Sequence, residues 1–309
     1  MYPSEHLVAV VLLSSRQDYQ LEQEAAARRA AAEAGLSIEV AFCDNSPFVQ
    51  IQQLFEYIHR PPGARPRAIV AELAGLPAAF ARVARAALTS HIGWVELTSD
   101  LRREGSLARE LHTEHTDEIV ASVAIDERAI GRIHAEQCRA LLPGGGSILY
   151  LEGPGLSAAV RARRSALEEG LRESGITIAK TLVADWTEHG SERASVEWLD
   201  RHSTSSHAPA LVCSQNDAMA MGLRRVVVAR RLAWACVPLL GCDGLPEGGQ
   251  RYVQRGILTA TIVKPITASL GVRLVSRALL GEAIPTATVL EPLSFPGAEK
   301  LIGARSAVA

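Results

Sequence analysis

The stretch VCSQNDAMAMG, residues 212–222, sets an amide beside a carboxylate where a branched apolar run passes into helical spacing. Asn216 offers both a donor and an acceptor, which suits vicinal hydroxyls, whereas Asp217 offers acceptor oxygens alone. Either side chain also caps a helix N-terminus, so as caps the pair is redundant. Asp217, or Asn216 by its backbone geometry, is expected to start the helix, whose apolar stripe is Met219, Leu223, Val226 and Val227, leaving the Asn216 amide for a ligand.

Other reactive residue types fall short of a catalytic set. His112, Glu114, His115 and Asp117 are metal-ligand types, but they lie in a polar connector without the spacing of a structural zinc site, and a solvated loop is the preferred reading. GGGS at 144–147 lacks the Lys-Ser or Lys-Thr of a phosphate loop and precedes a strand. GPG at 153–155 leads from strand to helix without the three-glycine dinucleotide fingerprint, and reads as a turn that lets the next helix approach. No G-x-S-x-G elbow and no Cys–His pairing supplies a nucleophile. The expectation is a protein that is not an enzyme and needs no cofactor or metal.

The elements that position these residues recur down the chain. HLVAVVLL (6–13), a helix over 18–35, SIEVAF (37–42), a helix over 46–59, RAIVAEL (67–73), a helix over 77–89 and IGWVEL (92–97) make four strand–helix units. A polar, irregular segment is expected over 99–117. A second series follows: EIVASVAI, a helix over 127–142, SILYLEG, a helix over 157–173, ITIAKTLV, a helix over 190–201, PALVCS, a helix over 216–230, VPLLGCD, LTATIVK, a helix over 266–280, and TATVLEPL. Strands apolar on both faces and separated by helices predict an α/β protein with two doubly wound parallel sheets. In such sheets ligands sit beyond the carboxyl ends of the strands, so the residues just after each strand are where binding chemistry belongs.

Composition agrees with a two-domain globular chain: 309 residues, 48% hydrophobic, with 32 basic against 34 acidic residues for a net charge of −2. No basic block marks a nucleic-acid partner, and RPPGARPR (60–67) reads as a Pro-stiffened loop. No run approaches the roughly 20 apolar residues of a membrane span. The opening MYPSEHLVAVVLLSS lacks a basic region and cleavage site before and after its apolar run, so the expectation from this start is a chain that stays inside the cell. Five scattered cysteines without C-x-x-C spacing read as small core residues in a reducing compartment.

Three motifs in order, SQNDAMAMG (214–222), LLGCDG (239–244) and RGILTATI (255–262), resemble the carboxyl-lobe signature of type I periplasmic sugar-binding proteins, the ribose-binding group in particular. VASVAIDERAIGRIHAEQ (120–137) resembles the crossover into the second lobe, and LSAAVRARRSALEEGL (156–171) its Arg-bearing helix. The resemblance spans nearly the whole chain, most strongly over 120–280. Effector domains of lactose-repressor-type regulators are related; with the first strand expected within the first ten residues, the helix-turn-helix that normally precedes them is not expected here. The resemblance implies two lobes joined by a three-crossing hinge, residues 1–125 with 265–292 and 126–264 with 293–309, closing on a small ligand. It implies a solute-binding protein for ATP-driven import with a membrane permease as partner. The alternative is a cytoplasmic ligand-sensing domain with a signalling partner. Location follows the same division: periplasmic by family, cytoplasmic by the start of the chain.

Residue by residue, Asn216 matches the family Asn on sugar hydroxyls, Asp243 the Asp closing a buried strand, and Arg163 the helix Arg, with Arg161 and Arg164 as alternatives one or two positions away. Trp186 falls where an aromatic stacks on a sugar ring, and Tyr19 at a similar position in the first lobe. Asp126 matches the crossover acid, in a hinge or ligand role. The first lobe departs from the pattern: SSRQDYQ replaces an Asn-rich loop, Glu72 stands where an amide is common, the Asp-Arg after the fourth strand reads TSD, and Lys264 replaces a Gln. Arg16, Arg163 and Lys264 would then face the ligand together, and the expected ligand is a polyol or sugar derivative, including one that bears a carboxylate or phosphate.

Overall fold

A computed structural model describes residues 7–15, 17–75, 77–98, 107–155, 157–201, 208–297 and 299–301. The chain divides into two compact units, residues 1–125 with 265–290 and residues 126–264 with 291–309.

The first unit is a parallel sheet built from β1 (Leu7–Leu12), β2 (Ser37–Phe42), β3 (Ala68–Glu72), β4 (Gly93–Thr98), β5 (Val120–Ile125) and, from the later segment, β11 (Ala287–Leu290). Its strand order is β11-β5-β4-β3-β1-β2. The apolar run of β1 is sorted by strand alternation onto two faces. Val8, Val10 and Leu12 join a core with α1 (Asp18–Glu33) and α10 (Thr267–Leu279). Ala9 and Val11 join another with α2 (Pro47–Ile58), α3 (Pro77–Thr89) and α4 (Leu107–Glu114). The second half of the segment expected to be irregular is therefore helical. Leu111 anchors α4, fully buried in that core, and Arg85 of α3 pairs with Glu110 and, at 2.8 Å, with Glu114. Leu111 stands among the polar residues Arg109, Glu110, His112, Thr113 and Glu114, which carry too little apolar periodicity to reveal a short helix in sequence.

In the second unit β6 (Gly146–Glu152), β7 (Ile176–Val183), β8 (Leu211–Ser214) and β9 (Leu239–Leu240) form a parallel sheet in the order β7-β6-β8-β9. Ile148, Tyr150 and Cys213 face one core, to which α5 (Glu127–Leu141) and α6 (Ala158–Leu171) contribute; Leu149, Leu151 and Val212 face another, with α7 (Glu188–Arg201) and α8 (Asp217–Ala229). The short α9 (Arg251–Gln254) precedes β10 (Thr261–Val263). β10 pairs antiparallel with β12 (Leu293–Phe295), an exception to the all-parallel expectation. The chain leaves this unit at the carboxyl end of β10 and re-enters it at residue 291, so β12 starts beside Val263 and must run back along it.

Among the described residues no helix is long and apolar enough to cross a membrane, and no cluster of three or more His, Cys, Asp or Glu is placed to hold a metal. Cys43, Cys138, Cys213 and Cys242 are buried and Cys236 is exposed, all as free thiols.

Candidate functional site

The second unit gathers most of the candidate residues at the carboxyl ends of its strands. Asn216 follows β8 and is the N-cap of α8: its Oδ1 accepts from the Met219 N–H at 2.9 Å, while its Nδ2 donates to the Trp186 carbonyl at 2.9 Å. Because a backbone N–H and a carbonyl are unambiguous partners, the amide orientation is determined. One N–H and one acceptor lone pair remain for another partner.

Asp217 does not cap the helix. It is buried, its Oδ1 accepting from the Thr261 hydroxyl at 2.7 Å and its Oδ2 from the Gly244 N–H at 2.8 Å, and its own N–H donates to the Cys242 carbonyl at 2.6 Å. Of the two residues expected to start the helix it is Asn216 that does so, and Asp217 ties α8 to the loop after β9 and to β10. Burial, reinforced by the charge of Asp243, raises the Asp217 pKa well above the usual carboxylate range. The carboxylate occupies space that two glycines leave open, since a Cβ on Gly241 or on Gly249 would sit 2.1 Å from one of its oxygens.

Arg163, on α6, is 2% exposed, and it is this Arg of the RARR run that reaches the site. Its Nε donates to Glu127 Oε2 at 2.6 Å, its Nη1 to the Gln215 carbonyl at 2.7 Å, and its guanidinium carbon lies 5.7 Å from the centroid of the Trp186 ring. Burial opposes its charge, but the Glu127 carboxylate, together with Cys242 and Asp243, outweighs this and the guanidinium is held above its ordinary pKa. Arg161 and Arg164 turn elsewhere, to the Gly155 carbonyl and to Glu152 and Glu168.

Trp186 is half-buried in a left-handed backbone conformation, φ 70°, which turns its ring back over the end of β6. Gly153 makes this approach feasible: a Cβ there would lie 2.2 Å from the indole. Thus the first glycine of GPG serves the Trp186 ring rather than the next helix.

Asp243 follows β9 with φ 102°, bridged to Val263, and its carboxylate lies 3.4 Å from Lys264 Nζ. Desolvation raises its pKa, while Lys264 and Arg163 act in the opposite direction. Each of the two described cations expected to attract an anionic ligand is therefore already matched to a carboxylate of its own, Arg163 to Glu127 and Lys264 to Asp243. Asp126 caps α5 through the Ala129 N–H at 2.9 Å and pairs with Arg132 at 2.9 Å.

In the first unit the candidates are joined through α1. Tyr19 is 5% exposed, and its hydroxyl donates to the Pro265 carbonyl at 2.5 Å and accepts from Gln23 Nε2 at 3.2 Å, an arrangement that ties α1 to the start of the returning segment. Its neighbour Gln20 donates to Glu72 Oε2 at 2.8 Å, and Gln50 donates to the Glu72 carbonyl at 2.7 Å. Arg16 lies outside the described residues.

Sequence reasoning assigned no role to Glu127, Gln215 or His134. Gln215 is fully buried, accepting from the Gly153 N–H at 3.2 Å and donating to the Tyr150 hydroxyl at 2.7 Å, so it holds the ends of β6 and β8 together. His134 on α5 is fully buried with Nε2 3.1 Å from the Gly241 carbonyl, which makes Nε2 the protonated nitrogen. Glu127 had one legible signal, a charge at a position where the helical stripe of α5 faces the sheet.

The sequence model of a family described as periplasmic binding protein domain matches residues 8–283. The chain belongs to this family. The binding-protein fold is also seen in solved structures. A Caulobacter myo-inositol binding protein bound to myo-inositol is 19% identical with a TM-score of 0.79, the match covering 98% of this chain and 99% of that one. The binding component of an arabinose ABC transporter from Shewanella sp. ANA-3, bound to α- and β-L-arabinofuranose, is 16% identical with a TM-score of 0.79, covering 97% and 95%. The fructose-binding periplasmic domain of a hybrid two-component system is 17% identical with a TM-score of 0.77, covering 98% and 95%. No curated protein sequence matches the chain.

Proposed function

We propose that this periplasmic binding protein takes a small, neutral polyhydroxylated ligand, a cyclic polyol or sugar, and delivers it to the permease of an ATP-driven importer. The observation that carries the reading is the cluster at the strand ends of the second unit. There the Arg163 guanidinium lies against the Trp186 ring and donates to the Gln215 carbonyl, the adjacent Asn216 amide donates to the Trp186 carbonyl, and the Asp243 carboxylate, paired with Lys264, acts on Arg163 through its charge. A half-buried ring suits the C–H face of a sugar, and amide, guanidinium and carboxylate together supply donors and acceptors for its hydroxyls. Charge compensation favours the neutral class over sugar acids and sugar phosphates, because neither described cation brings an unmatched charge. Solved relatives carrying myo-inositol and arabinofuranose support the same chemical class.

Thermal denaturation against a panel of neutral cyclitols, pentoses and hexoses tests this. A ligand at about 100 times its Kd stabilises by about 2.7 kcal/mol, a readily measured rise in Tm. No rise with any neutral polyol, alongside a clear rise with a sugar acid or phosphate, would overturn the neutral assignment.

A second reading, a ligand-sensing domain that passes its state to a signalling partner, is favoured by the likeness to the fructose-binding domain of a two-component system. Reconstitution with a candidate permease separates the two: ligand-dependent stimulation of ATP hydrolysis belongs to import alone.

A further inference from the structure

Glu127 and Arg163 are both nearly inaccessible, with side chains 6% and 3% exposed, and they meet at 2.6 Å. Breaking such a pair by removing one partner leaves an uncompensated buried charge. Among the described residues, Nε and Nη1 are the guanidinium nitrogens that find protein acceptors, one the Glu127 carboxylate and the other the Gln215 carbonyl. The first ties the guanidinium to α5 and the second to the residue after β8, with the guanidinium carbon 5.7 Å from the centroid of the Trp186 ring.

We infer that Glu127 is a specificity-determining positioning residue: it fixes the orientation of Arg163 and cancels its charge, so that Arg163 donates hydrogen bonds to ligand hydroxyls without attracting anions. This rests on the neutral-polyol reading above. Glu127 need not touch the ligand. Its effect is electrostatic and acts through the guanidinium, and the low-dielectric surroundings make the cancelled charge count for more than it would in water. Without Glu127 the same Arg would become a bidentate carboxylate or phosphate site of the kind guanidinium groups form readily. Lys264 and Asp243 form a second matched pair beside it, so a single neutralising change would tip the local balance toward positive.

Titration calorimetry of the full-length protein with glucose and glucuronate, and with myo-inositol and myo-inositol 1-phosphate, provides the test. The wild type should prefer the neutral member of each pair. Glu127→Gln, nearly isosteric, should shift the anion-to-neutral affinity ratio toward the anion by about tenfold or more, with circular dichroism confirming the fold. A folded Glu127→Gln with the wild-type ratio overturns the inference while leaving the neutral-polyol reading intact. A wild type that binds the anionic member of a pair more tightly than the neutral one overturns that reading itself. If the variant does not fold, the wild-type ratio decides, and a preference for the anion overturns the role assigned to Glu127.

Discussion

At the scale of the residue, the pair Asn216–Asp217 shows how one type of side chain takes different work from its surroundings. Both residues satisfy the chemistry of an N-cap, but only Asn216 has its oxygen on the Met219 N–H; Asp217 is spent on Thr261 and Gly244. Asn216→Ala therefore removes a cap and the tether to the Trp186 carbonyl, and is expected to cost about 1–2 kcal/mol in urea denaturation, as well as weakening ligand binding. His134 gives a second residue-level expectation. Burial pushes its pKa down to about 4 from 6.5, so the unfolded chain binds a proton that the folded one refuses between those values. The stability its neutral form contributes is complete above pH 6.5 and is lost as pH falls toward 4. Over that window the loss approaches about 3 kcal/mol. Melting temperatures measured from pH 7 to pH 4.5 should fall, and His134→Gln, which has no titrating group, should flatten the part of the decline that His134 causes.

At the scale of the element, the site depends on how closely α5 and α6 approach. Gly131 of α5 faces Ala166 of α6 and Gly170 of α6 faces Ala135 of α5; a Cβ on Gly131 would lie 2.2 Å from the Arg163 carbonyl oxygen, and one on Gly170 would lie 2.6 Å from the Ala135 Cβ. This closeness is what lets Glu127, at the start of one helix, reach Arg163 in the middle of the other. Gly131→Ala must force the helices apart, and overpacking of this kind costs about 1–3 kcal/mol. Because the displaced backbone belongs to Arg163 itself, the same variant should weaken ligand binding, measured by calorimetry, more than a surface Gly→Ala in the second unit.

At the scale of the whole molecule, each unit carries its own pair of cores on the two faces of its sheet. Multi-domain chains commonly depart from two-state unfolding. The four tryptophans report unequally: Trp94 lies in the first unit, and Trp186, Trp198 and Trp234 in the second. In a Trp94→Phe background, fluorescence follows the second unit alone, whereas circular dichroism follows both. Adding Gly131→Ala should lower the fluorescence midpoint in urea and pull it away from the midpoint by circular dichroism. Coincident shifts of both signals would mean that the units unfold as one cooperative block.

Strand and helix placement was largely legible in the linear chain, because period-two and period-3.6 patterns are local properties: SIEVAF and ITIAKTLV are strands over the very residues quoted. The motif order pointing to the binding-protein family was likewise readable from residue types and spacing alone. The antiparallel β12 was not, since its direction follows from where the chain re-enters the second unit, nor was α4, which one buried Leu111 and contacts with Arg85 hold in place. Charge is the clearest case of what only tertiary structure decided. Arg163 and Lys264 read as two unmatched cations in one dimension, and folding brings Glu127 to the first, 36 residues away in sequence, and Asp243 to the second. A carboxylate sets the charge of a site through its distance in space, and the sequence records only its distance along the chain.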